Sequence, residues 1–480
     1  MKRRSLIGSI LIACAALPAL AESNRPNIIY ILADDLGYDE LGCYGQKRIQ
    51  TPHIDRIARE GMRFTQHYSG AAVCAPSRYT LLTGKHIGRS HTPGQGQRLP
   101  DGETTLGTVM KRAGYRTAAF GKWGLGDNPN EQGFDEWLGF LDQGRAHFFY
   151  PEWVWKNTEQ LKFPENIGLR KEGAYGDISG GTYIHDVFTD SALDFIRQSQ
   201  AEPFFLYLPY TIPHAEFVVP EDSLAAYAGC WPEHPEKAHK TVLDPAKGKR
   251  GIEGGTAFYD GYGYCSVDKP NATYAAMVSR MDRDVGQIMA LLKELGLDDN
   301  TLVLFASDNG PTFIPGYNRE FFEVPESFPF SGHKGSLEEG GIRIPFVARW
   351  PGRIAAGSVT DHLSYFPDIL PTFAKLAGVE VSAPIDGTSL LPVLLNQPDR
   401  IQQAPYLYWQ KGDAPVVRLG EYKGFFKQDK LMKAYSINED IGEKNDITNQ
   451  LPSAIRTQME EIVQSVLSKP KHPAAKGKLK

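Results

Sequence analysis

Cysteine is scarce in this sequence, five residues in 480, which excludes a fold stapled by disulfides. Charge of one sign is missing too. The 52 Lys and Arg nearly balance 57 Asp and Glu, a net of -5, so no broad electrostatic footprint for nucleic acid exists. No internal repeat is present, which argues against a solenoid or propeller array. What the chain does have is length and about two-fifths apolar residues, enough to bury a large core. An apolar run at the start follows Lys2, Arg3 and Arg4 and ends in Ala19-Leu20-Ala21. That is the pattern of a cleaved export signal over 1–21, and the run is too short for a membrane span. The expected location is periplasmic or extracellular; a cut before Cys14 would instead give a lipoprotein. With the signal removed, Cys43, Cys74, Cys230 and Cys265 remain. Cys230 and Cys265 flank one Gly- and Lys-containing stretch and are placed to bridge it, Cys43 reads as a buried small apolar residue, and Cys74 needs another explanation.

Helical and strand patterns alternate along most of the chain. Asn27 to Ala33 is a continuous apolar run stopped by Asp34-Asp35 and Gly37, which predicts a buried strand with two carboxylates at its C-terminal end. Ile54 to Gly61 has helical spacing, Gly114 to Phe120 reads as a strand, and a helix over Phe188 to Ile196 leads into the strand Pro203 to Pro209. A helix over Tyr274 to Leu295 then leads into the strand Thr301 to Ala306, followed by Asp308-Asn309-Gly310. This order predicts an α/β protein with a large doubly wound mixed sheet flanked by helices. Polar residues after separate strands converge in such a sheet, at the crevice outside the strands' carboxyl ends. The strand Pro345 to Trp350 and the helix Phe366 to Ala377 complete the expected catalytic domain over 22–384, with a surface insertion at 215–273. Short alternating runs such as Tyr406 to Gln410 and Tyr422 to Lys427, closed by a helix over Ala454 to Leu467, predict a smaller α+β subdomain, an antiparallel sheet plus terminal helix, over 385–468. A basic tail at 469–480 reads as a solvated end.

The most specific stretch is Cys74-Ala75-Pro76-Ser77-Arg78 running into Thr83-Gly84-Lys85. Asp34-Asp35-Leu36-Gly37, Thr51-Pro52-His53-Ile54-Asp55, Gly121-Lys122-Trp123, Pro213-His214, Ser307-Asp308-Asn309-Gly310 and Glu339-Gly340-Gly341-Ile342-Arg343-Ile344-Pro345 accompany it. Together these blocks resemble the formylglycine-dependent sulfatases of the alkaline phosphatase superfamily, in the family's order and over nearly the whole mature chain. A lone Cys-x-Pro-x-Arg would be a weak hint; the blocks in register are not. The resemblance implies oxidation of Cys74 to formylglycine by a formylglycine-generating or sulfatase-maturating enzyme. It also implies one Ca2+ held by Asp34, Asp35, the modified Cys74, Asp308 and Asn309. Independently of the family, adjacent carboxylates repel near a crevice unless a cation joins them, and these are the hard oxygen donors that Ca2+ takes.

Sulfate hydrolysis develops charge on the nonbridging and leaving oxygens, so fixed cations and a proton donor are needed. By resemblance Arg78, Lys122 and Lys334 supply the cations and His214 handles the proton. One departure stands out: many family members have His directly after Gly-Lys-Trp, and this chain has Gly124. His147, in Gln143-Gly144-Arg145-Ala146-His147-Phe148-Phe149-Tyr150, is the candidate replacement; packing or lining the substrate pocket is the plainer role. The expected substrate is a sulfated carbohydrate or an aryl sulfate, with no nucleic acid partner and no membrane span. Two readings compete with a sulfatase: a catalytically silent binder of sulfated glycans, which the gap at Gly124 would suggest, and a phosphatase or phosphodiesterase of the same superfamily with an unmodified nucleophile and typically two metals.

Overall fold

A computed structural model of the chain describes residues 25–90, 98–237, 264–312, 322 and 330–469. The expected signal over 1–21, nearly all of the basic tail and the middle of the 215–273 insertion lie outside the described residues. In chain order the strands are β1 (Asn27–Ala33), β2 (Met62–Phe64), β3 (His67–Tyr68), β4 (Arg116–Lys122), β5 (Glu136–Phe140), β6 (Trp153–Lys156), β7 (Glu159–Lys162), β8 (Arg170–Lys171), β9 (Ala174–Tyr175) and β10 (Phe204–Pro209). They continue with β11 (Thr301–Ser307), β12 (Phe346–Arg349), β13 (Ser358–Thr360), β14 (Ser364–Tyr365), β15 (Leu407–Lys411), β16 (Ala414–Leu419), β17 (Tyr422–Lys427) and β18 (Lys430–Ser436).

Ten strands form one mixed sheet in the order β13-β2-β12-β11-β1-β10-β4-β5-β6-β7. Its five central strands, β11 to β5 in that order, run parallel, and antiparallel strands flank them. All seven residues of β1 are buried because helices cover both faces. Ile29, Ile31 and Ala33 point into one core, with the helices α1 (Pro52–Arg59), α4 (Ile184–Gln198) and α5 (Pro270–Glu294). Ile28, Tyr30 and Leu32 point into the other, with α2 (Cys74–Thr83), α3 (Leu106–Arg112) and α6 (Ile369–Ala377). The period-2 alternation of strand side chains thus divides one apolar run between two cores.

Downstream, β15-β16-β17-β18 make a separate antiparallel sheet, against which α7 (Ser453–Ser468) packs Met459, Val463 and Val466. Among the described residues no helix is long and apolar enough to cross a membrane.

The structure corrects several details. The strand expected from Gly114 begins only at Arg116, because Gly114 at φ +79° turns the chain after α3. The strand also runs on to Lys122, which places that lysine at the sheet's carboxyl edge. The helix expected over 188–196 extends to Ile184–Gln198. Cys230 and Cys265 are both free thiols, not a bridge. Cys265 is buried against Phe217 and Cys230 is exposed, so the two face different surroundings. Cys43 is half-buried at the core's edge rather than inside it. At the described ends of the 215–273 stretch, Phe217, Val218 and Val219 are core residues, and an isolated bridge pairs Glu236 with Val267.

Candidate active site

Strand ends build the centre. Asp34 and Asp35 leave β1, and Asp35 sits in the left-handed region at φ +68°, a conformation that Asp tolerates better than most residues. Asp308 and Asn309 leave β11, the neighbour of β1. Lys122 ends β4, where the preceding Gly121 has φ +137° and passes so close to the Pro209 carbonyl that a Cβ would overlap it. His214 follows β10. Cys74 opens α2, all ten of whose residues are buried, and Pro76 is tolerated in this first turn because it has no intrahelical N–H bond to lose there. Arg78, four residues on, shares the face of Cys74.

These groups interlock. Cys74 Sγ donates to Asp34 Oδ1 at 3.1 Å, while Lys122 Nζ donates to Asp34 Oδ2 at 2.7 Å. Lys334 Nζ donates to Asp35 Oδ2 at 2.7 Å. Arg78 donates through Nε and Nη2 to Asp308 Oδ2 at 3.0 and 2.8 Å, and through Nη1 to the Lys122 carbonyl at 2.6 Å. The backbone N–H of Asp35 donates to Asp308 Oδ1, and Asn309 Nδ2 donates to Asp35 Oδ1 at 2.8 Å. Lys334 also approaches His214 Nε2 at 2.7 Å. An ammonium can only donate, so Nε2 accepts, and His214 Nδ1–H donates to the Ala215 carbonyl. His147 Nε2 lies 3.3 Å from Lys122 Nζ, and its ring stacks on that of His214 at 3.8 Å between centroids. The structure therefore brings together Cys74, Arg78, Lys122, His147, His214, Lys334, Asp34, Asp35, Asp308 and Asn309, and all but Lys334 and His147 are fully buried.

The electrostatics follow from burial. Burial raises the Asp34 pKa, but Lys122, His214, Arg78 and Lys334 outweigh it and hold the carboxyl well below its usual range. Burial and the Asp34 charge push Asp308 up to about 7 despite Arg78. Burial, Asp308 and Asp34 push the Cys74 thiol well up, and a thiol kept neutral is a weak nucleophile. Burial lowers His214 to about 4.

Ligand atoms of Asp34, Asp35, Cys74 and His214 lie within 4.8 Å of one another. Asn309 Oδ1 is buried with no hydrogen-bond partner among the described residues, an orphaned acceptor beside three carboxylates. A hard divalent cation fits this donor set. Sequence reasoning missed two residues at this wall. Gln143 donates to the Gly124 carbonyl at 3.1 Å, and the Tyr264 ring lies 6.0 Å from those of both His147 and His214. Gln143 fell inside a quoted stretch with no role; Tyr264 carries no signal, being one tyrosine in a Gly- and Tyr-rich segment.

Acids and fixed cations gathered at the strand ends of a doubly wound sheet form a centre suited to an anionic ester. The sulfatase family model matches residues 26–379, and a model described as N-sulphoglucosamine sulphohydrolase, C-terminal, matches 333–469. The chain is 31% identical to N-acetylgalactosamine-6-sulfatase of Canis lupus familiaris, over 87% of this chain and 74% of that protein. It is 29% identical to N-acetylgalactosamine-6-O-sulfatase of Bacteroides thetaiotaomicron, over 92% and 93%. A crystal structure of Ps i-CgsB in complex with k-i-k-neocarrahexaose superposes with a TM-score of 0.72 at 27% identity, over 94% of this chain and 95% of that one. The chain belongs to the sulfatase family and is a sulfate ester hydrolase.

Proposed function

We propose that the chain hydrolyses a carbohydrate sulfate through a formylglycine made from Cys74, with one Ca2+ held by Asp34, Asp35, Asp308, Asn309 and the modified residue 74. The observation that carries this reading is a cysteine buried at the first turn of α2, 3.1 Å from Asp34, in a centre where three carboxylates meet three cations and Asn309 Oδ1 is left without a partner. Formylglycine, once formed, supplies a hydrated aldehyde with one hydroxyl to attack sulfur and a second to expel sulfate, so that no water need attack crowded sulfur. Ca2+, when bound, supplies charge neutralisation and lowers the pKa of an oxygen it holds.

The protein's own side chains do the rest. Arg78, pinned by Asp308 and the Lys122 carbonyl, keeps the donor set in register. Lys122 and Lys334 present ammonium groups where a sulfate's nonbridging and leaving oxygens gather charge. The Ala215 carbonyl fixes the His214 tautomer so that the Nε2 lone pair faces the site, accepts from Lys334 and can relay that ammonium's proton to the leaving oxygen. The sugar class is supported by the relatives: two are named for N-acetylgalactosamine 6-sulfate chemistry, and a similar structure holds a carrageenan-type hexasaccharide. Residues 1–21 read as an export signal to the periplasm or outside, and a maturation enzyme is the partner this chemistry requires.

The test is co-expression with a formylglycine-generating enzyme, mass spectrometry of the residue-74 peptide, metal analysis, and sulfate release from an aryl sulfate and from defined sulfated mono- and disaccharides. The reading expects an aldehyde at 74, one calcium per chain and release from at least one sugar sulfate. Two tightly bound transition metals would favour the phosphatase alternative, and a matured protein that cleaves no sugar sulfate would remove the carbohydrate assignment.

A further inference from the structure

A side chain at Gly124 would be strained and would have to displace the tip of Gln143. The φ of Gly124 is +72°, which L side chains rarely adopt, and a Cβ there would overlap Gln143 Nε2. The reason lies in the neighbouring strand. Pairing of β4 with β5 continues past both strands, through Trp123 N–H to the Phe140 carbonyl at 2.9 Å and Gly124 N–H to the Leu141 carbonyl at 3.1 Å. The segment after β5 therefore runs alongside Gly-Lys-Trp-Gly and inserts Gln143 where a residue-124 side chain would project. A helical turn at Arg145–His147 then reverses the chain, held by Arg145 N–H on Asp142 Oδ1 and by the Arg145 guanidinium stacked 3.5 Å over Trp153. The turn aims His147 back at the centre, 3.3 Å from Lys122 and stacked on His214.

We propose that His147 is a catalytic base of this enzyme, delivered by the strand beside Gly124 to do the work that a histidine after Gly-Lys-Trp does in many sulfatases. This rests on the formylglycine reading above. His147 Nε2 takes the hydroxyl proton at residue 74 as the C–O bond to sulfate breaks; the electron pair leaves with sulfate and the freed oxygen becomes the aldehyde carbonyl. Two features suit it to that step. Lys122 can only donate, so Nε2 holds the lone pair and faces the centre. Burial, with His214, Lys122 and Lys334 nearby, holds the imidazole well below its usual value and hence neutral.

The experiment compares His147→Ala and His147→Gln with the parent, each matured to formylglycine as checked by mass spectrometry. With an aryl sulfate whose good leaving group needs little acid help, kcat should fall about 10²- to 10⁴-fold in both variants with little change in KM. Glutamine fills space and can still accept from Lys122, so its failure separates a base from a packing residue. Turnover quenched in acid should leave sulfate attached to the residue-74 peptide of the variants but not of the parent, and added imidazole should speed the alanine variant. An unchanged kcat, or a raised KM confined to sugar substrates with no sulfated peptide, overturns the assignment and leaves the parent mechanism standing. A parent without formylglycine, or with no turnover, overturns the mechanism itself before any variant is compared.

Discussion

Two buried ion networks in this molecule use the same residue types for different ends. One is the active centre. The other lies around Glu339, between the two-stranded β14–β3 sheet and the β15–β18 sheet. There Glu339 Oε1 accepts from Lys423 at 2.9 Å, and Oε2 accepts from Tyr68 at 2.6 Å and Arg343 at 3.2 Å. Arg418 donates to the same Tyr68 hydroxyl, and Glu443 accepts from the Glu339 N–H at 2.7 Å. Both Glu339 oxygens are paired, and Lys423, Arg418 and Arg343 hold its carboxyl down at about 2 despite burial. Burial pushes a carboxyl up to about 7 in each network, Glu443 in one and Asp308 in the other; the difference is that Lys423 Nζ lies 2.8 Å from Glu443 Oε1, whereas Asn309 Oδ1 has no partner among the described residues. A network whose carboxylate oxygens each face a cation, a hydroxyl or an N–H clasps two sheets. One with an orphaned acceptor beside its carboxylates still has a donor atom to offer a cation.

The largest effect should separate the two by activity. Cys74→Ala is expected to lower sulfate release roughly 10⁴- to 10⁶-fold, the scale of losing a nucleophile, while the melting temperature moves little because few atoms are removed. Substantial residual turnover would place the nucleophile elsewhere. Next comes the clasp. Glu339→Ala leaves buried cations without their carboxylate, so it should cost about 3–5 kcal/mol of stability, read by denaturant unfolding, with kcat per folded molecule nearly retained. A loss of kcat without a loss of stability would mean the clasp is part of the site.

Chelation should sharpen the contrast from the other side. Removing a cation present at 100 times its Kd costs the native state about 2.7 kcal/mol, and EDTA should lower both activity and melting temperature. Asp308→Asn should make the protein insensitive to EDTA, whereas Glu339→Ala should stay sensitive; equal responses in both variants would contradict a cation at Asp308. The smallest effect concerns a buried carboxyl hydrogen-bonded only to N–H groups. Asp282 accepts from the His53 and Ile54 N–H groups at the start of α1, and burial raises it to about 7. Its folded value lies above the unfolded value of about 3.9. Its contribution to stability is thus complete below pH ~4 and is lost as pH rises through about 7. Asp282→Asn should flatten that part of the stability–pH profile, each unit of the shift being worth about 1.4 kcal/mol, and an unaltered slope would show that other carboxyls carry it.

Where chemistry follows apolar runs, the sequence is easily read. Asn27 to Ala33 and Thr301 to Ser307 announce themselves as buried strands, and the acids behind them had to meet at one edge of a doubly wound sheet. Lys122, His214 and Lys334 are different: nothing in their own spacing separates them from surface or structural residues, and only the family resemblance marked them. His147 was suggested by a gap at Gly124, but what occupies that gap, Gln143 from the segment after β5, is a tertiary contact with no sequence pattern. The clasp was illegible for the same reason. Glu339-Gly340-Gly341 stood out as a family block, yet its partners Tyr68, Arg418 and Lys423 lie 271, 79 and 84 residues away, a pairing that local patterns cannot encode. β16 and β18 were missed because neither alternates: β16 is buried at its four central positions and β18 is exposed irregularly.

The central claim is that Cys74 works as an aldehyde rather than as a thiol. It is tested most directly by mass spectrometry of the residue-74 peptide alongside sulfate release, on protein made with and without a formylglycine-generating enzyme. The account predicts that kcat per chain rises in proportion to the fraction of peptide carrying formylglycine and falls to background when that fraction is zero. Full turnover by protein whose residue-74 peptide is entirely unmodified cysteine would contradict it.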